Sequence, residues 1–371
     1  MQLKRCRDAV LTAALALISI ACGLLFVNTV FLVWVRAPLQ SKSFPRPVIS
    51  LLSVPSRWLY PDTGRTNSAL DIALIGDSYI EGDGDSFSVQ GDYDYSVGHF
   101  LRAKTGFPFA VYAASGTYLP ISMAFYQSGI EGRLWPLFDA LQVNKRPKTL
   151  WLFFYEGNDL DDYISARNNG HRSVSQSLPW RVKISPLRYY LQRRWMLGRP
   201  SSPSPADIQD LPNRVCGFNG CASLGRLQSA SPSLSDAEVD EAISYISQAV
   251  VAFASQHSSA RVCFFYIPSP ATIYDLPRTV SFDVSTGATV RVTREENSAR
   301  SLRIREGFDR RLGSSRVDMV DLTESLQNSA IHGAIHGSMD ADHFNLTGYK
   351  LFAEAIVESS GSCFPLASLS N

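Results

Sequence analysis

Four short stretches of this chain hold residue types that together could cleave or form an ester. Ser78, in Gly76-Asp77-Ser78, follows the apolar run Ile72–Ile75. A hydroxyl therefore stands where a buried strand stops, and in open α/β sheets chemistry collects beyond the carboxyl ends of the strands. Such a hydroxyl becomes a nucleophile only beside a base, and the base needs a carboxylate to orient it. Asp340-Ala341-Asp342-His343 offers both on one loop. A separation of three lets Asp340 fold back onto Nδ1 of His343, leaving Nε2 to face the serine. Asp342 is the rival, but a side chain next to its own histidine usually points elsewhere. The developing oxyanion needs fixed donors. Asn158, in Tyr155-Glu156-Gly157-Asn158-Asp159, offers a neutral amide, and Gly116, in Ala113-Ala114-Ser115-Gly116, a backbone N–H with no side chain in the way. Each stretch alone reads better as a turn. Jointly they follow three strands and the last loop, and all point at one edge.

The elements that must position these residues are legible as five short apolar runs: Ile72–Ile75, Phe109–Ala113, Thr149–Tyr155, Arg261–Ile267 and Val317–Leu322. They are β-branched or aromatic, nearly continuous, and separated by enough chain for crossover helices, which predicts buried strands of a parallel sheet. Ser235 with Glu238 forms a capping-box pattern, and Val239, Ile243, Ile246, Val250 and Phe253 follow at helical spacing. A last helix is expected from near Thr347, with Leu351, Phe352, Ala355 and Ile356 on one side. Asp342 or Asn345 is placed to cap it. Alternating strands and helices indicate a doubly wound α/β domain.

The blocks Gly76-Asp77-Ser78, Gly116, Gly157-Asn158-Asp159 and Asp340-Ala341-Asp342-His343 resemble the four signature blocks of the SGNH (GDSL-type) hydrolase superfamily, in the family's order and across nearly all of the chain after residue 69. Tyr79 stands where the GDSL string has leucine. The resemblance implies a flavodoxin-like three-layer α/β/α sandwich with a five-stranded parallel sheet. It also implies Ser78 as nucleophile, His343 as base, Asp340 as its orienting group, and an oxyanion hole from the N–H groups of Ser78 and Gly116 with the Asn158 side chain. No cofactor is expected, and no metal, because no His or second Cys pair sits at a zinc-like spacing around the cysteines. Ser78 does not sit in a Gly-x-Ser-x-Gly elbow, which disfavours the other large α/β-hydrolase class.

Ahead of this domain, Ala9 to Val35 carries no charged side chain. At ~1.5 Å per residue the run spans about 40 Å, enough to cross roughly 30 Å of hydrocarbon with some tilt. One N-terminal transmembrane helix is expected over 9–35, uncleaved because the apolar run continues to Trp34. Residues 1–8 form a cytoplasmic tail, oriented by Lys4, Arg5 and Arg7. A proline-punctuated linker over 36–68 leads to a catalytic domain over 69–371. The placement is that of a bacterial inner-membrane protein with its catalytic domain on the periplasmic or extracellular side. Cys216, Cys221, Cys263 and Cys363 are compatible with two disulfides in an oxidising compartment, or with buried free thiols.

An irregular insertion is expected at about 163–234. Its first part, Tyr163 to Pro200, contains eight Arg and Lys residues and no acidic one, with Trp180, Tyr189, Tyr190 and Trp195 interleaved. A solvated surface, a lid, a lipid-headgroup contact and a groove for an acidic polymer are all compatible with it. A net charge of +1 is too balanced to suggest nucleic acid. The reading that follows is an esterase acting on acyl, foremost acetyl, esters of envelope or secreted carbohydrate. An O-acetyltransferase using the same triad, with a membrane acyl-donor partner, is the alternative, and a non-catalytic glycan-binding scaffold is a distant third. The remaining histidines, His336 among them, need no role on this reading.

Overall fold

The structure is a computed structural model of the 371-residue chain. It describes residues 72–81, 97–107, 109–113, 117–131, 147–169, 211–338 and 340–364, with scattered positions between 12 and 23. The chain divides into two compact units, Met1–Ser56 with Pro179–Gly198, and Arg57–Leu178 with Arg199–Asn371. In the first, the described positions between Thr12 and Gly23 are helical. The rest of the expected anchor over 9–35, the linker over 36–68 and residues 170–210 of the insertion lie outside the described residues. Among the described residues, no helix is long and apolar enough to cross a membrane.

The second unit is a mixed α/β fold. Its elements run β1 (Ile72–Gly76), α1 (Ser78–Glu81), α2 (Val97–Thr105), β2 (Phe109–Ala113), α3 (Leu119–Glu131), β3 (Thr149–Tyr155), α4 (Asp159–Asn168), β4 (Asn213–Gly217), β5 (Gly220–Leu224), α5 (Asp236–Gln256), β6 (Arg261–Ile267), α6 (Pro270–Tyr274), β7 (Arg278–Phe282), β8 (Thr289–Thr293), α7 (Arg294–Leu312), β9 (Val317–Asp321), α8 (Thr323–Ala330) and α9 (Leu346–Ser359). The main sheet has the order β2-β1-β3-β6-β9, and every pairing in it is parallel. This is the doubly wound arrangement in which the strand order reverses beside β1. Gly76 pairs with Ala113, so β1 and β2 end level with each other.

The near-continuous hydrophobicity of the strands has a direct cause: both faces of the sheet are covered. Ile72, Leu74, Trp151, Phe153, Tyr155, Cys263 and Phe265 belong to one core with Leu101 of α2 and Phe352 and Ile356 of α9. Their alternates Ala73, Ile75, Leu150, Leu152, Phe154, Val262 and Phe264 belong to a second core with Met123 of α3, Ile246 of α5 and Phe308 of α7. Helix α5 carries the expected capping box, with Ser235 accepting from the Glu238 N–H and Glu238 reaching back to the Ser235 N–H.

The insertion is more structured at its ends than its composition suggests. Helix α4 extends to Asn168, and Asn213–Leu224 forms an antiparallel hairpin. The hairpin buries few side chains, Val215 and Leu224 among them, so hydrophobic alternation marks it weakly. A disulfide between Cys216 and Cys221 closes it, and a second disulfide joins Cys263 to Cys363. A second antiparallel hairpin, β7–β8, precedes α7, which opens with its own capping box of Thr293 and Glu296.

Candidate active site

Gly76 ends β1 in close quarters. A Cβ there would lie 2.5 Å from Ile80 Cγ1 and 3.2 Å from Phe153 Cβ. Glycine therefore lets the chain turn tightly from the buried strand into α1, whose first residue is Ser78. The turn is held by Asp77, whose carboxylate accepts the Tyr79 N–H at 3.0 Å. Far along the chain, the loop before α9 is anchored at its end by Asn345. Its side-chain oxygen accepts the Gly348 N–H at 2.8 Å, and its amide donates to the carbonyls of Ala334 and His336, each at 2.9 Å. Of the two residues placed to cap α9, Asn345 does so.

This loop carries His343 to the end of β1. His343 Nε2 lies 2.8 Å from Ser78 Oγ, and Nδ1 lies 2.8 and 3.0 Å from the two oxygens of Asp340. Serine, imidazole and carboxylate form one hydrogen-bonded row. Asp342 does not reach the ring nitrogens. One of its carboxylate oxygens is buried without a partner, and its main-chain carbonyl faces the phenols of Tyr79 and Tyr155.

Asn158 follows β3 and precedes α4. Its side chain makes no capping bond to that helix, and its Oδ1 is buried without a partner. A side-chain amide held off the helix it precedes is free to orient toward another acceptor. Asp159 fixes the segment: its Oδ2 accepts the Tyr155 N–H at 2.9 Å, and the carboxylate also meets the Leu119 N–H at the start of α3. One buried carboxylate thus ties the end of β3 to the segment that follows β2. Glu156 adds a second tie, accepting from Tyr266, the Ser269 N–H at 2.7 Å and the Thr272 hydroxyl at 2.8 Å. Gly116 lies outside the described residues.

The electrostatics divide the carboxylates into two groups. Burial would raise Asp340, but the charge and hydrogen bond of His343 outweigh it and hold the carboxyl below its ordinary value. Asp340 is thus kept ionised beside the imidazole. Asp342 is pushed up to about 7 by burial and by repulsion from Asp340. Burial likewise raises Asp77, against the Tyr79 N–H and the His343 charge, and raises Asp159 with help from Asp77. Asp161 and Asp162, on the first turn of α4, are raised by burial to about 7 and about 6.

Two features escaped the sequence reading. His336 is buried, with both ring nitrogens facing tyrosine hydroxyls. Its only sequence signal is proximity to His343. The carboxylate ties made by Glu156 and Asp159 were equally invisible, because an acidic residue after a strand reads as an ordinary turn. Among the described residues, the one cluster with metal-ligand spacing is Cys263, Asp318 and Cys363, whose two sulfurs are joined to each other.

No protein-family model matches the chain, and no curated protein matches it by sequence. Its neighbours among solved structures include SGNH hydrolases, lipases and carbohydrate esterases. An extracellular lipase from Streptomyces rimosus is 16% identical, with 78% of this chain and 100% of that one covered and a TM-score of 0.37. A phospholipase A1 from Streptomyces albidoflavus is 13% identical over 79% and 100%, also at 0.37. An acetyl xylan esterase from the rumen bacterium Butyrivibrio proteoclasticus is 11% identical over 81% and 67%, at 0.36. At TM-scores of this size, the geometry around Ser78 and not the likeness carries the functional reading.

Proposed function

We propose that this chain is a serine esterase of SGNH type, removing acyl groups, foremost acetyl, from carbohydrate esters through an acyl-enzyme on Ser78. The observation that carries the reading is the row Ser78 Oγ, His343 Nε2, His343 Nδ1 and Asp340, with each link within 3.0 Å. On this reading Ser78 Oγ attacks the ester carbonyl while His343 Nε2 takes its proton, and Asp340 stabilises the resulting imidazolium. The oxyanion is met by the Asn158 amide and the N–H groups of Ser78 and Gly116. Collapse expels the alcohol, which takes the proton from His343 and leaves the acyl group on Ser78. Water, activated by His343, then attacks the acyl-enzyme, and release of the acid restores the free serine.

Location enters the same proposal. The uncharged run over 9–35 would anchor the chain in the bacterial inner membrane, and two disulfides suit a catalytic domain in an oxidising compartment. A sugar hydroxyl in place of water would make the same row an O-acetyltransferase.

The test uses the domain from about Leu51 onward with p-nitrophenyl acetate, with and without an oligosaccharide acceptor. Steady release in water that requires Ser78 supports the esterase. A burst that stalls until acceptor is added, yielding acetylated sugar, replaces it with the transferase. Absence of any Ser78-dependent release from acyl esters of every chain length tested would rule out both.

A further inference from the structure

Behind the row of Ser78, His343 and Asp340 lies a second row of hydrogen bonds that the reaction itself does not use. Tyr274 ends α6. Its hydroxyl oxygen receives the N–H groups of Ile335 at 3.0 Å and His336 at 2.9 Å, and it lies 2.7 Å from His336 Nδ1. A phenol oxygen has two lone pairs and one proton. With both lone pairs taken by backbone donors, the proton must go to Nδ1. That fixes the tautomer: His336 carries its hydrogen on Nε2, which lies 3.3 Å from the Tyr79 hydroxyl. Tyr79 therefore receives from His336 and gives its own proton to the main-chain carbonyl of Asp342. The direction of every bond follows from the donor count at Tyr274.

The last two members of this row, Tyr79 and Asp342, are adjacent in sequence to the two reacting side chains. Tyr79 follows Ser78, and Asp342 precedes His343. A single hydrogen bond between these neighbours ties the start of α1 to the loop that carries the base. The rings are packed to hold it: Tyr79 lies 4.1 Å from Tyr155 between centroids and meets Phe344 edge-on at 5.0 Å, while His336 lies 4.7 Å from Phe344. Tyr79 and His336 are almost completely buried. A polar row in such surroundings persists only if all its members are satisfied, and then it holds one arrangement. Burial also lowers His336 to about 3, so the ring stays neutral through the neutral range.

We propose that His336 is a positioning residue: oriented by Tyr274, it aims the Tyr79 hydroxyl at the Asp342 carbonyl and so sets the separation of Ser78 and His343. The proposal rests on the esterase reading for its consequence in rate, but not for its geometry. Small displacements of catalytic groups are costly, a misplacement of about 1 Å removing about 10²-fold in rate. Tyr79→Phe deletes one hydroxyl and keeps the ring. It should lower kcat about 10- to 100-fold with KM and melting temperature little changed. His336→Gln retains an N–H at the place of Nε2 and should keep more of kcat than His336→Leu.

The deciding experiment combines these kinetics with ring-15N histidine NMR of the purified full chain. The expected result is an Nε2–H tautomer for His336 at pH 7, and a shifted or broadened His343 Nδ1 proton in Tyr79→Phe. An Nδ1–H tautomer, or an unmoved His343 signal in a folded Tyr79→Phe, overturns the proposal. So does a folded Tyr79→Phe with wild-type kcat. A wild-type chain that hydrolyses no ester sinks the esterase reading instead, and the NMR signals still judge the row.

Discussion

Asp340 places both carboxylate oxygens within 3.0 Å of His343 Nδ1, so the imidazole is held against rotation as well as stabilised when charged. This double contact explains why Asp340 stays below its ordinary pKa in a place where burial alone would raise it. Asp340→Asn should keep the fold and lower kcat by about 10⁴, because an amide that donates to Nδ1 selects the wrong tautomer. Melting curves matching wild type alongside a kcat within tenfold of it would show that His343 is oriented by something else.

Asn158 should reveal its role through kcat. If its amide meets the oxyanion, Asn158→Ala costs about 10²–10³ in kcat with KM nearly constant. Asn158→Asp, which replaces a donor with a charge of the wrong sign, should be at least as damaging. Steady-state kinetics on p-nitrophenyl esters decide it, and wild-type rates in Asn158→Ala would remove the residue from the site.

The buried carboxyls make a prediction about pH. Asp161 is raised to about 7 in the folded protein, against about 4 in the unfolded chain. Between those values the folded state holds more protons than the unfolded one, so stability falls as pH rises from 4 to 7. Asp342 and Asp162 act in the same sense, whereas Asp340, being lowered, loses its contribution on acidification. The melting temperature should therefore be higher near pH 5 than near pH 8. Asp161→Asn should flatten that slope, since each unit of raised pKa is worth about 1.4 kcal/mol. Thermal melts across this range test it, and an unchanged slope would locate the effect elsewhere.

The two disulfides should contribute unequally. Cys263 and Cys363 are 100 residues apart, and Cys216 and Cys221 only 5. On loop-closure entropy alone the long bridge is worth about 4.7 kcal/mol and the short one about 2. Paired Cys→Ala variants compared by urea unfolding should rank in that order.

The reach of the sequence differs from element to element. Strands β1, β3 and β6 were legible because both faces are buried, which leaves an unbroken apolar run. Helix α5 was legible because Ser235 and Glu238 announce its start. Helix α7 left less of a trace: it has Arg and Glu along most of its length, and its core contacts rest on Ile304, Phe308 and Leu312. Hairpin β4–β5 shows little hydrophobic alternation, and its two strands are tied by the Cys216–Cys221 disulfide. At the site, the four stretches taken jointly, and the resemblance they carry, pointed to Ser78, His343 and Asp340. The second row through Tyr274, His336 and Tyr79 joins residues 62 and 257 positions apart, and no local pattern encodes it.

The placement of Ser78 and His343 has one practical consequence. The serine leaves the first strand of the sheet, while the histidine precedes the last helix, 265 positions later. Neither half of the domain alone can bring the two together. A reactive Ser78 therefore requires β1, the loop at 340–343 and α9 to be docked at once. An active-serine probe applied to the purified protein would then count only fully assembled molecules, giving a one-step assay for variants that fold.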